Sequence, residues 1–145
     1  MKEHAMRYPV YLILLLAALP VRAEDMRTPL KLSPDGIAAV REEMRDFTVG
    51  IQQIVDALAR HDMKAVSAAA IELGKPGNSK VPMATRMKFP IEFKVMGRAT
   101  HMGFYNLATD ATALGDTEHS LKQLSETLQQ CVACHASYRL VETKP

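Results

Sequence analysis

Both cysteines of the 145-residue chain lie in one pentapeptide near its end, Cys131-Val132-Ala133-Cys134-His135. The pentapeptide closes a long helical pattern, and two residues three positions apart on a helix lie on the same face. The two thiols are therefore close enough to bind one rigid group, and the next residue places an imidazole beside them. No other feature constrains the fold as strongly, because the rest of the chain must be arranged around whatever these three side chains hold.

A Cys-x-x-Cys pair also occurs in redox dithiols, in zinc sites and in structural disulfides. A redox dithiol of the thioredoxin type begins a helix after a strand, whereas this motif ends a helical pattern with no βαβ unit around it. A zinc site needs two further ligands at comparable spacing, and His61, His101 and His119 show no such pairing. With His135 directly after the second cysteine, the spacing is that of a c-type haem attachment signature, which predicts one covalently bound haem c.

Residues 1–23 have the pattern of a secretory signal peptide. Lys2 and Arg7 give a basic start, the run from Val10 to Leu19 is almost wholly apolar, and Val21-Arg22-Ala23 fits a small-x-small cleavage site. The apolar run is shorter than the roughly twenty residues that span a bilayer, which disfavours an uncleaved membrane anchor. We therefore expect cleavage near Ala23, a single mature domain over residues 24–145, and a periplasmic location.

Charge argues against a nucleic-acid partner. The full chain has a formal net charge of +2, and the signal peptide carries three basic residues against one acidic residue, so its removal leaves the mature chain near zero. Nucleic-acid binding calls for a clustered basic face, which the mature sequence lacks.

The mature sequence predicts helices and no strand of useful length. Ser33-Pro34-Asp35 has the pattern of a helix start, with a capping residue followed by proline at the first helical position. Apolar residues then recur at steps of three and four, as on the buried side of a bundle helix. This seam consists of Ile37, Val40, Met44, Phe47, Ile51, Ile54 and Leu58.

Two further helices are predicted before the motif. One runs from near Asp62 to Gly74, and the proline- and glycine-containing stretch from Gly74 to Pro90 indicates a long crossing loop. The next opens at Pro90 and ends at Gly115. Its apolar stripe consists of Val95, Met96, Ala99, Met102, Gly103 and Leu107.

Asp116 caps the fourth predicted helix, which carries the motif. Its apolar seam consists of Leu121, Leu124, Leu128, Cys131, His135 and Tyr138. Because the motif falls on the seam, we expect the haem to lie inside the fold. The predicted class is all-α, an antiparallel four-helix bundle enclosing a covalently bound haem.

The ending Cys131-Val132-Ala133-Cys134-His135-Ala136-Ser137-Tyr138-Arg139 resembles the Cys-x-x-Cys-His-x-x-Tyr/Phe-Arg/Lys ending of the class II cytochromes c, the cytochrome c-prime family and its low-spin relatives. The resemblance implies that Cys131 and Cys134 form the thioether bonds and that His135 is the proximal iron ligand. It also implies that Arg139 lies beside the proximal face.

A weaker similarity to this family covers Arg41-Glu42-Glu43-Met44-Arg45 in the first helix. It implies that Arg41 approaches the haem propionates and that Met44 occupies the distal position. In five-coordinate members that position is an apolar residue that blocks the iron, and in low-spin members it is a coordinating methionine.

The identity of the sixth iron ligand decides between two possible functions, electron transfer and gas binding. A methionine on an apolar helix seam is often core filling, but Met44 lies both on the seam and at the family's distal position, which favours coordination. His101 and Met102 on the third helix are rival ligands; a lone helical histidine is more often hydrogen-bonded or solvent-facing, and packing explains Met102.

Histidine–methionine ligation suits a one-electron carrier that exchanges electrons with an unidentified redox partner protein. The alternative is a five-coordinate protein that binds NO or CO at an open iron. We expect no enzymatic activity, because no acid–base residue lies in register with Met44 on the first helix. A homodimer is consistent with the resemblance, since cytochromes c-prime commonly pair through their first helices.

Overall fold

The structure is a computed structural model that describes residues 24–75, 77 and 79–143. In this part of the chain 74% of residues are helical, in five helices, and the remainder includes a two-stranded sheet. The elements are β1 (Thr28–Leu32), α1 (Pro34–Ala59), α2 (Met63–Gly74), α3 (Met83–Arg86), α4 (Ile91–Leu114), α5 (Thr117–Ser137) and β2 (Tyr138–Glu142). The predicted signal peptide lies outside the described residues. Within them, no helix combines the length and apolar character needed to cross a membrane.

Local signals place the ends of the long helices, as the sequence predicted. The side chains of Ser33, Asp62 and Asp116 each accept hydrogen bonds from first-turn backbone N–H groups, at 2.9 to 3.3 Å. These bonds satisfy donors that a helix N-terminus leaves unpaired. Gly115 ends α4 with a φ of 64°, in the left-handed region that glycine adopts without steric cost.

The helices pack in chain order, α1 on α2, α2 on α4 and α4 on α5. Helices α2 and α4 approach closely at Gly74, where an added Cβ would lie 2.7 Å from the Cα of Tyr105. The Ser67 hydroxyl donates to the carbonyl of Ala108 at 2.8 Å across the same pair. Because Gly74 follows Ser67 along α2 while its contact Tyr105 precedes Ala108 along α4, the two helices run antiparallel.

The described residues include a two-stranded sheet, so the prediction that the domain has no strand of useful length was wrong. β1 pairs in parallel with β2, in the register Thr28 with Tyr138 to Leu32 with Glu142. Side chains of β1 alternate, with Leu30 and Leu32 buried and Pro29 and Lys31 exposed, which is the period of two expected of a half-buried strand. The segment has five residues, and its partner lies at the other end of the chain, so no local pattern revealed the pairing.

Two further features of the helices differ from the prediction: one additional short helix and one helix end. The stretch between Gly74 and Pro90 contains the short helix α3 and is not a plain loop. Helix α5 ends at Ser137, and Tyr138 begins β2 rather than continuing the helical seam. The backbone N–H of Tyr138 still donates to the carbonyl of Cys134, as a helix C-cap does.

Buried apolar side chains form two separate cores. The large core joins α1, α2, α4 and α5 and consists of Ile54, Ala57, Leu58, Val66, Ala70, Leu73, Phe104, Leu107, Ala108, Ala111 and Leu124, with Phe47 and Leu128 among the side chains packed against it. The small core joins β1 and the start of α1 to the α2–α3 connection. It consists of Leu32, Ile37, Val40 and Val81, with Phe89 and Leu140 packed against it.

Three stretches of chain lie between these cores and contribute no residue to either of them. They are residues 41–46 of α1, residues 90–103 at and just before the start of α4, and residues 129–139, which span the end of α5 and the first two residues of β2. We call this part of the molecule the inter-core level. It contains Met44 and the whole Cys-x-x-Cys-His pentapeptide.

Replacing Leu32 by alanine tests whether the strand pairing anchors the small core. Leu32 is 1% exposed, so Leu32→Ala leaves a cavity and should lower the free energy of unfolding by about 2–5 kcal/mol. Lys31→Ala, on the exposed side of the same strand, should change it by less than about 0.5 kcal/mol. Urea unfolding followed by circular dichroism measures both; equal effects of the two variants would contradict the buried strand.

Candidate functional site

The two cysteines lie in the last two turns of α5, and both are free thiols. Each is partly buried, whereas Val132 and Ala133 between them are exposed. This burial pattern confirms that Cys131 and Cys134 share one face of the helix and that Val132 and Ala133 face the solvent. Both sulfurs are therefore available to one group approaching that face.

Burial controls the protonation of these thiols. It raises the pKa of Cys131 above its ordinary value, because the thiolate is the charged form and loses solvation. Burial likewise raises the pKa of Cys134, and the nearby charge of Cys131 raises it further. Both side chains are thus neutral thiols at neutral pH, with low intrinsic reactivity toward oxidants and metals.

The end of α5 is held by the segment that precedes β1. The guanidinium of Arg27 donates through Nη1 to the backbone carbonyl of His135 at 3.3 Å. Arg27 also makes two hydrogen bonds to the carboxylate of Asp25, at 2.9 and 2.7 Å. These bonds lower the pKa of Asp25 to about 2, so the carboxylate is ionised wherever the protein is folded near neutral pH. The imidazole of His135 itself is exposed.

Arg139 contacts the same two residues, Asp25 and Arg27. Its Nε donates to the carbonyl of Arg27 at 3.2 Å and lies 3.8 Å from the carboxylate of Asp25. The resemblance implied a position beside the proximal face of a haem. The structure places Arg139 in β2, four residues after His135, with its guanidinium engaged by the segment before β1.

Met44 interrupts the buried seam of α1 at the inter-core level. It is 36% exposed, whereas Val40 before it is buried in the small core and Phe47 after it packs against the large core. A thioether that packs against neither core does not act as core filling in this chain. Arg41 lies three residues earlier, at the same level, and is exposed.

His101 is positioned by a strong hydrogen bond. Its Nδ1 lies 2.6 Å from the carbonyl oxygen of Leu73, and a carbonyl can only accept, so Nδ1 carries the proton. The other ring nitrogen, Nε2, then has a free lone pair in the neutral imidazole. The ring packs against Phe47 with a centroid separation of 5.2 Å. This bond explains His101 as a structural residue that ties α4 to the end of α2.

A cavity of about 570 Å³ opens at the inter-core level between α1, α4 and the connection that contains α3. Its walls are largely apolar and include Val81, Phe89, Phe93 and Met102. Phe93 also contacts Tyr138, ring edge to ring face, at 5.2 Å. The cavity wall therefore meets the end of the motif helix, although the pentapeptide itself does not line the cavity. The sequence did not reveal this cavity, because its walls come from α1, α4 and a connection that was predicted only as a long crossing loop.

The residues present fit a covalently held, largely apolar group with one metal. Two unpaired thiols share a helix face, an imidazole follows directly, and the surrounding inter-core level contributes no residue to either apolar core. In the described part of the chain, no group of three or more His, Cys, Asp or Glu side chains is arranged to hold a metal ion.

Comparison of the chain with protein-family models, with curated proteins and with solved structures found no match.

The raised thiol pKa values predict slow alkylation of the haem-free chain by iodoacetamide. At neutral pH the reaction should be slower than that of glutathione, and the pH midpoint of the rate should lie above that of a free cysteine. Cys131→Ala should move the midpoint of Cys134 downward, because it removes the neighbouring charge. Rates measured by mass spectrometry against pH test this. A midpoint equal to that of glutathione would contradict the burial argument.

Proposed function

We propose that the chain is a monohaem c-type cytochrome of the class II type, which carries single electrons in the periplasm. Cys131 and Cys134 would form the thioether bonds, His135 would bind the iron on one side, and Met44 would bind it on the other. The four long helices would form an antiparallel bundle that encloses the haem.

One observation carries this proposal: the pentapeptide and Met44 both lie at the level where the apolar core is interrupted. A chain of this size normally fills its interior at near-crystalline density. Here residues 41–46 and 129–139 separate two cores without joining either. A flat apolar macrocycle attached to α5 would fill such an interruption and complete a continuous interior.

Met44 is favoured over His101 as the second iron ligand because of its position. The thioether of Met44 packs against neither core, whereas the ring of His101 packs against Phe47. The bond from Nδ1 of His101 to the carbonyl of Leu73 leaves Nε2 able to bind a metal, so His101 is the rival ligand that the variants below must test. Met102 is 42% exposed and lies on the wall of the cavity. It belongs to α4, so it is not on the α1 seam that the resemblance assigns to the distal ligand.

When bound, the haem supplies a reversible one-electron couple, and histidine–methionine ligation sets it at a higher reduction potential than bis-histidine ligation. The protein's contribution is to fix the two ligands and to exclude water. The capped end of α5 and the bond from Arg27 to the carbonyl of His135 hold the proximal segment still. Rigid ligands keep the geometry equal in both oxidation states, which favours fast electron exchange with a redox partner protein.

Met44→Ala tests the ligand assignment. In the purified holoprotein the wild type should be low-spin in optical and EPR spectra, with a sulfur-to-iron charge-transfer band and no response to CO. Met44→Ala should lose that band, become high-spin and bind CO, because an open coordination position admits small ligands.

Met102→Ala is the matched control, since it removes the same type of side chain from α4 at the inter-core level, and it should leave the spectra unchanged. If the wild type were already high-spin and bound CO or NO, the protein would be a gas-binding module. A low-spin spectrum unchanged in Met44→Ala would transfer the ligand role to Met102 or His101.

A further inference from the structure

The charged groups around the inter-core cavity are unevenly distributed. Four cationic side chains line it and only one carboxylate, that of Glu43. The cationic side chains are Lys75, Arg86, Lys94 and Arg98. Because the remaining wall is largely apolar, the cavity suits a ligand with an apolar body and negatively charged ends.

Arg86 is the cationic group most deeply placed among them. Its Nε is buried and has no hydrogen-bond partner, whereas Lys94 donates to the carbonyl of Met87 at 3.4 Å and Arg98 is exposed. A buried guanidinium nitrogen without a partner is costly, and such groups normally have one. An acceptor that entered the cavity would supply this partner.

The backbone around Arg86 is fixed by packing. Arg86 ends α3, and the preceding Thr85 is buried against the first turn of α1, where a Cβ on Gly36 would lie 3.1 Å from its methyl group. The carbonyl of Arg86 accepts from the backbone N–H of Phe89, whose ring packs against the small core. Arg86 is thus presented to the cavity by a held segment, which lowers the entropic cost of pairing.

Resting on the haem attachment proposed above, we propose that this cavity receives the carboxylate-bearing edge of the haem and that Arg86 pairs with a propionate there. Phe93 links the two places, since it lines the cavity and contacts Tyr138 at the end of the motif helix. The assignment differs from the one implied by the resemblance. Arg139 is engaged by Arg27 and Asp25, and Arg41 is exposed on α1.

Glu43 is compatible with this role for Arg86. Its Oε1 is also buried without a partner on the same cavity wall. A guanidinium has five N–H donors in a planar fork, so one arginine can hold two carboxylates side by side. Arg86 would then bridge Glu43 and the propionate and neutralise the repulsion between them.

The test compares holoprotein variants by resonance Raman spectroscopy and redox titration. Arg86→Gln should shift the propionate bending band and lower the reduction potential, because removal of a nearby positive charge favours the ferric state. Arg86→Lys should recover most of the potential and not the band, since it keeps the charge and loses the bidentate geometry. Arg60→Gln is the matched control. Arg60 pairs with Asp56 on the surface at the far end of α1, and its loss should alter neither readout.

Two results would overturn the inference while leaving the cytochrome proposal intact. In the first, haem is covalently attached, but the propionate bending band and the reduction potential are the same in Arg86→Gln as in Arg60→Gln. In addition, Glu43→Gln lowers the stability of the fold as much as Arg86→Gln does. Arg86 would then serve Glu43 alone. The other is binding of dodecanoate to the haem-loaded wild type that Arg86→Gln abolishes, which would make the cavity the site of a separate amphipathic carboxylate. By contrast, a chain that carries no covalent haem by mass spectrometry, when produced with a haem-attachment system, would refute the cytochrome proposal itself.

Discussion

Helix α2 has 12 residues, whereas its neighbours α1 and α4 have 26 and 24. At about 1.5 Å per residue, α2 covers about 18 Å of helices that are roughly twice as long. The large core forms where α2 is present, and it ends where α2 ends at Gly74. Beyond that point the side of α1 and α4 that α2 covers is continued only by the connection with the four-residue helix α3, and the cavity opens there.

The large core lies on one side of the inter-core level, and the two-stranded sheet with the small core lies on the other side. The sheet gives the small core its Leu32 and brings Arg27 and Arg139 to the end of α5. A two-stranded sheet alone is only marginally stable in water, and here it is supported by side chains of α1 and of the α2–α4 connection. The described residues therefore form one apolar core on each side of the inter-core level, and that level, which contains both thiols and Met44, belongs to neither core.

What the sequence predicted correctly was local. Ser33, Asp62 and Asp116 cap helices because a cap depends on residues within one turn of it, and Gly115 ends α4 for the same reason. The face shared by Cys131 and Cys134 follows from helix periodicity. The strands could not be predicted, since neither forms without a partner more than a hundred residues away.

The orientation of α4 was only partly predicted. Val95 and Met102 of the expected stripe are exposed, whereas Phe104 and Ala108 are buried, because close approach at Gly74 turns that side of α4 toward α2. Arg86 was missed because its environment arises from three separate elements.

Parallel pairing of β1 with β2 also affects the order in which we expect the chain to fold. Arg139 donates to a carbonyl 112 residues earlier in the chain, and the entropy of closing so long a loop must be offset before such a contact is stable. The large core joins helices that are neighbours along the chain, and we expect it to form earlier because local contacts form faster. Until the sheet pairs, the end of α5 lacks the hydrogen bond from Arg27 to the carbonyl of His135. Closure of the sheet would then come last and would add the hydrogen bond from Arg27 that holds the end of α5.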